Sequence, residues 1–244
     1  MKSLQEELNA VLKCKPHEPI TRYRYANGDY SANLSMKLVE AIGKKCYPGF
    51  VIDDDNRFAY ENFVKWLHGN QTMRAIDPDT KREVPGDMLK GIYIAGGIGT
   101  GKTRCTEVME NYARRFEFLI KYDDDENTES SIGWRSVSSN EIVEQYKKNV
   151  SLKEFETPKI LCIQDLGGEP SEAVAMGNRV NVLREVLQSR GSKPDCLTII
   201  TSIYAMNSPT ITETYGERVA DRLYGMCNYL ELYGGSRRRR KADE

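Results

Sequence analysis

The sequence has no long apolar run. None approaches the ~20 residues needed to cross a bilayer, so no membrane-spanning helix is expected. It opens Met-Lys-Ser-Leu-Gln-Glu-Glu-Leu, with acidic residues and no apolar stretch, unlike a secretory signal. Neither charge is in excess: 35 Lys and Arg against 36 Asp and Glu leave a formal net charge of −1. A partner held over a wide surface by bulk positive charge is not indicated, and any nucleic acid must meet a local patch. The six cysteines (14, 46, 105, 162, 196 and 227) include no C-x-x-C pair. Cys105, Cys162 and Cys196 fall in apolar stretches. They read as buried thiols of a reducing cytoplasm, not as a zinc site or a disulfide framework. The acidic run Asp53-Asp54-Asp55-Asn56 lacks the glycine and glutamate that a Ca²⁺ loop places sixth and twelfth; Phe58 and Val64 stand there. It reads instead as the solvated start of a helix whose apolar side is Phe58, Phe63, Trp66 and Leu67.

The chain is 244 residues long, 39% hydrophobic and 29% charged, enough to bury one core with a small appendage. Its organising stretch is Gly-Ile-Tyr-Ile-Ala-Gly-Gly-Ile-Gly-Thr-Gly-Lys-Thr, residues 91–103. The second half, from Gly96 to Thr103, fits G-x-x-x-x-G-K-[ST], the P-loop pattern. Glycines let the backbone wrap a phosphate with its N–H groups inward, and the helix that follows adds the positive end of its dipole. Gly97, Ile98, Gly99, Thr100, Gly101, Lys102, Thr103 and Arg104 are the expected ATP or ADP contacts. Lys102 neutralises the outer phosphates, and the Thr103 hydroxyl coordinates Mg²⁺. Context supports the match. Lys90 to Ala95 reads as a buried strand, and Cys105, Val108, Met109, Tyr112 and Phe116 recur at helical spacing.

Before the loop, Leu4, Leu8, Val11 and Leu12 suggest one helix, and Leu34, Leu38 and Ile42 a second that ends near Pro48 and Gly49. Residues 1–50 are thus expected as a helical extension, either an adaptor for a partner or a packed appendage. Residues 70–87 carry Pro78, Pro85 and Gly86 and read as a loop. Beyond the P-loop helix, Asp123 to Glu126 reads as a surface loop, Ser136 to Ser138 as a short strand, and Ser138 with Glu141 as a helix cap. Residues 159–165 read as a buried strand ending in a carboxylate, and 172–190 as a helix closed by Gly191 and Pro194. Cys196 to Ser202 is another apolar strand. Strands that are apolar along their length and alternate with helices imply a parallel sheet covered on both faces. Ligands of such sheets sit beyond the carboxyl ends of the strands, where the P-loop, Asp165 and Thr201 with Ser202 all fall.

Asp165 is placed as a Walker B carboxylate for Mg²⁺, against an ordinary strand-end aspartate. Gln164 precedes it where many ATPases have a further carboxylate; an amide can position water but cannot act as a base. Glu169 reads as a loop charge or a second group facing the cavity. Arg218 and Arg222 lie four apart on one helix face: one of them an arginine finger acting in a neighbouring subunit, or surface charges paired with Asp221. The tail Arg237 to Lys241 is a local basic cluster for DNA or RNA phosphates, or a frayed terminus.

Four motifs in this order, Gly-Gly-Ile-Gly-Thr-Gly-Lys-Thr (96–103), Ile-Gln-Asp-Leu-Gly (163–167), Ile-Ile-Thr-Ser (199–202) and Tyr-Gly-Glu-Arg-Val-Ala-Asp-Arg-Leu (215–223), resemble DnaC-type helicase loaders and IstB-type transposition helpers. The resemblance covers roughly residues 86–236. It implies an α/β P-loop NTPase with an AAA+ core at 51–236 and no C-terminal lid domain, which agrees with the short sequence after the last motif; residues 237–244 form the basic tail. It further implies an ATPase that assembles as a homo-oligomer and acts on a replicative helicase or a transposase, with single-stranded DNA as a candidate ligand. The catalytic residues it carries over are Lys102, Asp165 and Arg222, and the metal ligands Thr103 and Asp165. Gln164 and Ile203 depart from the family pattern, at a first acidic and a sensor asparagine position, and would weaken hydrolysis more than binding. A nucleotide-gated adaptor with little turnover is therefore the second hypothesis. A small-molecule kinase is the third, although no substrate pocket or lid is legible.

Overall fold

The computed structural model describes residues 21–24, 32–116, 118–121, 129–148, 150–175, 178–193 and 195–238. The expected helix at Leu4–Leu12, the acidic segment 123–126 and tail residues 239–244 lie outside these.

In chain order the elements are β1 (Thr21–Arg24), α1 (Ala32–Cys46), α2 (Arg57–Leu67), β2 (Arg74–Ile76), β3 (Glu83–Pro85), β4 (Gly91–Gly96), α3 (Lys102–Arg115), β5 (Phe118–Lys121), β6 (Glu129–Ser131) and β7 (Arg135–Ser138). There follow α4 (Ser139–Lys147), α5 (Lys153–Glu156), β8 (Ile160–Leu166), β9 (Ala173–Ala175), β10 (Asn178–Val180), α6 (Val182–Arg190), β11 (Leu197–Ser202), α7 (Pro209–Tyr215), α8 (Glu217–Met226) and β12 (Cys227–Leu232).

The central sheet has the order β12-β4-β11-β8-β7, and every pairing in it is parallel. Its strands are apolar along their length because both faces are covered. Alternation splits β4 between two cores. Ile92 and Ile94 pack with Val108, Met109, Tyr112 and Trp66, contributed by α3 and α2. Tyr93 and Ala95 pack with Leu183, Leu187, Val219 and Leu223, contributed by α6 and α8. Gly91 has no room for a side chain: a Cβ there would stand 2.0 Å from the Thr198 carbonyl oxygen of β11. Burial of apolar surface on these strands stabilises the fold by roughly 25 cal/mol per Å².

Several expected elements form as read. The helix after the acidic run begins at Arg57, with Asn56 Oδ1 accepting from Asp53 N–H at 2.9 Å. Ser138 caps α4 by accepting from Glu141 N–H at 3.1 Å. Others differ. The face that α1 buries is centred on Ser35, Val39 and Gly43; Leu38 and Ile42 pack against the core beside it, as expected, while Leu34 is exposed. Gly43 sets that face, since a Cβ would stand 2.3 Å from the Phe50 ring. The expected loop at 70–87 contains an antiparallel hairpin, β2 with β3. Its turn is built by Asp77, whose Oδ1 accepts from Asp79 and Thr80 N–H at 3.0 and 2.7 Å, an Asx turn that composition alone hides. The expected helix at 172–190 exists only from Val182. Residues before it form the hairpin β9–β10, and Asn181 caps the helix by accepting from Arg184 N–H at 3.0 Å.

Arg190, at the end of α6, is fully buried. It donates to the carbonyls of Phe155 (3.1 Å), Pro158 (2.9 Å) and Leu197 (2.7 Å), and to Thr198 Oγ1 (2.9 Å). One guanidinium thereby ties α5, α6 and β11 together. Replacing Arg190 by Ala would orphan these buried acceptors and should cost about 3 kcal/mol or more. Urea denaturation checks this, and a loss below ~1 kcal/mol would show that water takes over the role.

Candidate functional site

β4 ends at Gly96 and α3 begins at Lys102, so five residues must reverse the chain above the sheet edge. Gly99 and Gly101 do this at φ of 81° and 101°, values open to glycine and strained for other residues. Gly101 is the N-cap of α3 and provides no side-chain cap. The first-turn N–H groups of α3 thus point beyond the sheet edge with the positive end of the dipole.

Lys102 is 6% exposed, and its Nζ donates to the carbonyls of Gly96 (2.8 Å) and Gly97 (2.9 Å). Burial lowers its pKa, the Asp165 charge opposes that, and the Arg238 charge adds to it. Thr100 is buried and donates to Gly97 O at 3.0 Å, bracing the loop from within.

Asp165 approaches from β8. The register between β8 and β11 slips: Ile163 pairs with Ile200 and Leu166 with Ser202, so Gln164 and Asp165 together oppose Thr201. This bulge puts Asp165 at φ 56°, in the left-handed region that aspartate tolerates better than most residues. The strained peptide is pinned on both sides. Its N–H donates to Thr201 Oγ1 at 3.0 Å. Its carbonyl accepts from Ser139 Oγ at 2.8 Å and from Gly168 N–H at 3.0 Å. Ser202 Oγ donates to the next carbonyl, of Leu166, at 2.7 Å. The polar ends of β11 therefore aim the exposed carboxylate of Asp165 at the loop.

One cleft gathers Ile98, Gly99, Gly101, Lys102, Thr103, Arg104 and Asp165 from the expected set, with Ile203 on its rim. Gly97 and Thr100 do not line it: Gly97 is exposed on the loop and Thr100 is buried within it. Arg222 is not part of it. Its guanidinium donates to the Gln188 carbonyl at 2.7 Å and to Ser192 Oγ, at the end of α6. Glu169 is also turned away: it accepts from Gly167 N–H at 2.9 Å and from the Tyr215 hydroxyl. Burial, with the Glu169 charge beside it, pushes that phenol far up. Gln164 reaches back to Thr106 Oγ1 at 3.4 Å. Arg237 and Arg238, expected as the start of a basic tail, complete the cleft instead. The available signal is the stretch Tyr229 to Leu232, which falls in β12: paired beside β4, that strand delivers the next residues to the P-loop. Among the described residues, no group of three or more His, Cys, Asp or Glu is arranged to hold a metal by itself.

No protein-family model matches the sequence, and no curated protein does. Solved structures similar in fold include a candidate primosome component from Streptococcus pyogenes serotype M3 (16% identity, TM-score 0.49, covering 77% of this chain and 85% of that one). They also include a DnaC helicase loader (16% identity, TM-score 0.47, 81% and 99% covered). A third is AMPPCP-bound DnaA from Aquifex aeolicus (14% identity, TM-score 0.45, 78% and 50% covered), of which this chain spans about half. The fold is that of an α/β P-loop NTPase, a parallel sheet between helices with the phosphate loop at its carboxyl edge. No helix among the described residues is long and apolar enough to cross a membrane.

Thr201→Val keeps the side-chain shape and removes the acceptor for Asp165 N–H. It should cost about 1–2 kcal/mol. Thermal denaturation without nucleotide reads the loss, and an unchanged midpoint would mean that Thr201 does not hold the bulge.

Proposed function

We propose that the chain binds ATP with Mg²⁺ in this cleft and uses it to control assembly on a DNA-bound partner. The observation that carries the reading is the meeting of Lys102, Thr103 and Asp165 in one cleft at the carboxyl edge of a parallel sheet. The Thr103 hydroxyl and the Asp165 carboxylate are hard oxygen donors, and together with phosphate oxygens and water they suit Mg²⁺. Bound there, the ion would neutralise charge on the outer phosphates. Lys102 would leave two loop carbonyls for phosphate oxygens, an exchange that needs little rearrangement because the ammonium already sits beside the loop.

The order of the four motifs supports an AAA+ module of the helicase-loader type, acting as a homo-oligomer on a replicative helicase, or on a transposase. Arg222, outside its own cleft, is the candidate finger for a neighbour's nucleotide.

One observation favours slow turnover. Asp165 is the only carboxylate among the described residues lining the cleft. Glu169 is held by Tyr215, and Gln164 cannot take a proton. A single carboxylate must either hold Mg²⁺ or orient the attacking water. This favours a nucleotide-gated switch whose ATP-bound state is long-lived.

ATP turnover measured with and without single-stranded DNA tests the reading. The expected wild-type rate is low, and Gln164→Asp should raise it about 100-fold, the lower end of the usual worth of a general base. No rise would remove the missing carboxylate as the cause. Arg222→Ala should lower hydrolysis in assemblies while monomeric ATP binding survives; unchanged hydrolysis would exclude a finger acting between subunits.

A further inference from the structure

The chain leaving the sheet passes straight over the phosphate loop. β12 pairs with β4 so that Leu232 lies opposite Gly96. Tyr233 N–H then donates to the Asp55 carbonyl at 3.0 Å. Gly234 turns at φ 83°, where a Cβ would stand 2.2 Å from Asp55 Oδ2. Ser236 packs on Gly99, where a Cβ would stand 2.3 Å from its Oγ. Both glycines are thus required by the crossing as well as by their own φ values.

Arg237 fastens this crossing. Its N–H donates to Gly99 O at 2.9 Å, and its Nε to Thr100 O at 3.1 Å. Its two terminal nitrogens form a bidentate pair with Asp53 at 3.0 and 2.6 Å. The side chain is 12% exposed and that of its partner 27%, so the pair is shielded from most of the screening that weakens surface bridges. A guanidinium committed in this way is an anchor. Arg238, the next residue, is exposed and lines the cleft with Lys102 and Asp165.

We propose that residues 233–238 form a strap across the phosphate loop, in which Asp53 and Arg237 are positioning residues that present Arg238 to the polyphosphate of a bound nucleotide. The proposal rests on the nucleotide reading above and adds a contact from the same chain to it. Besides the paired Arg237, three cations, Lys102, Arg104 and Arg238, then line the cleft against one carboxylate, and the like charges repel each other. A polyanion relieves that repulsion, more so with each added phosphate. The strap also ties the outer side of the loop to the start of α2. Binding at the loop is thereby coupled to the helix that packs beneath it.

Calorimetric titration of the full chain with Mg-ATP and Mg-ADP tests this, using wild type, Lys102→Ala, Arg238→Ala, Asp53→Ala and the Asp53→Ala/Arg238→Ala double variant. Arg238 is exposed, so its loss leaves the fold intact. Arg238→Ala should weaken ATP about tenfold, as expected for one charge-assisted contact, and ADP by less. Asp53→Ala should reproduce that ATP-over-ADP bias, and the double variant should lose no more than Arg238→Ala alone, because Asp53 acts through Arg238. Wild-type ATP affinity in Arg238→Ala, with binding lost in Lys102→Ala, would overturn the strap and leave the nucleotide reading standing. Additive losses in the double variant would overturn the positioning role. A wild-type chain that binds neither nucleotide would overturn both proposals together.

Discussion

The pairing of β4 between β11 and β12 is the constraint on which the remaining structure depends. Because the three strands run in the same direction, their carboxyl ends finish together. β4 delivers the glycine loop, β11 delivers Thr201 and Ser202, and β12 delivers Arg237 and Arg238. β8, on the far side of β11, adds Asp165. Groups as far apart as Ile98 and Arg238, 140 residues, thus converge through the pairing of these strands, and none of the cleft's chemistry requires a long loop to reach inward. Burial of the sheet on both faces keeps this edge rigid, which suits a site that must hold its donors in place before a charged ligand arrives.

Two forms of stored free energy sit at that edge. One is conformational: Asp165 lies in the left-handed region, held by Thr201, Ser139 and Gly168. Such strain costs on the order of 1 kcal/mol and persists because its surroundings over-determine it. The other is electrostatic: Lys102 is buried against two loop carbonyls. On the proposed reading, a polyanion arriving with its metal would offset the second.

The parts of this site legible in the sequence were those whose chemistry is local. A glycine loop before Lys-Thr specifies its own backbone, and an apolar run ending in Asp165 specifies a strand edge. The cap at Ser138 was legible for the same reason. What the sequence hid depended on partners far along the chain. The bulge at Gln164 and Asp165 arises from a register slip against β11, which no spacing within β8 reveals. Residues 173–175 and 178–180 pair as antiparallel strands where a helix is expected; Val180 lies at helical spacing from Leu183 and Leu187, but Asn181 is the true cap. Arg237 and Arg238 looked like the start of a basic tail, since their anchors, Asp53 and Thr100, lie 184 and 137 residues away. Arg222 had the right spacing for a finger, and its hydrogen bonds to the end of α6 could only be seen in the fold.

The central claim is that the loop at 96–103 is a phosphate cradle already assembled around its lysine. A crystal structure with a Mg-bound, non-hydrolysable ATP analogue measures it most directly. The account predicts the phosphates seated on the first turn of α3, with Lys102 Nζ moved from the carbonyls of Gly96 and Gly97 onto phosphate oxygens. An analogue bound elsewhere, or Lys102 still clamped to both carbonyls with nucleotide present, would contradict it.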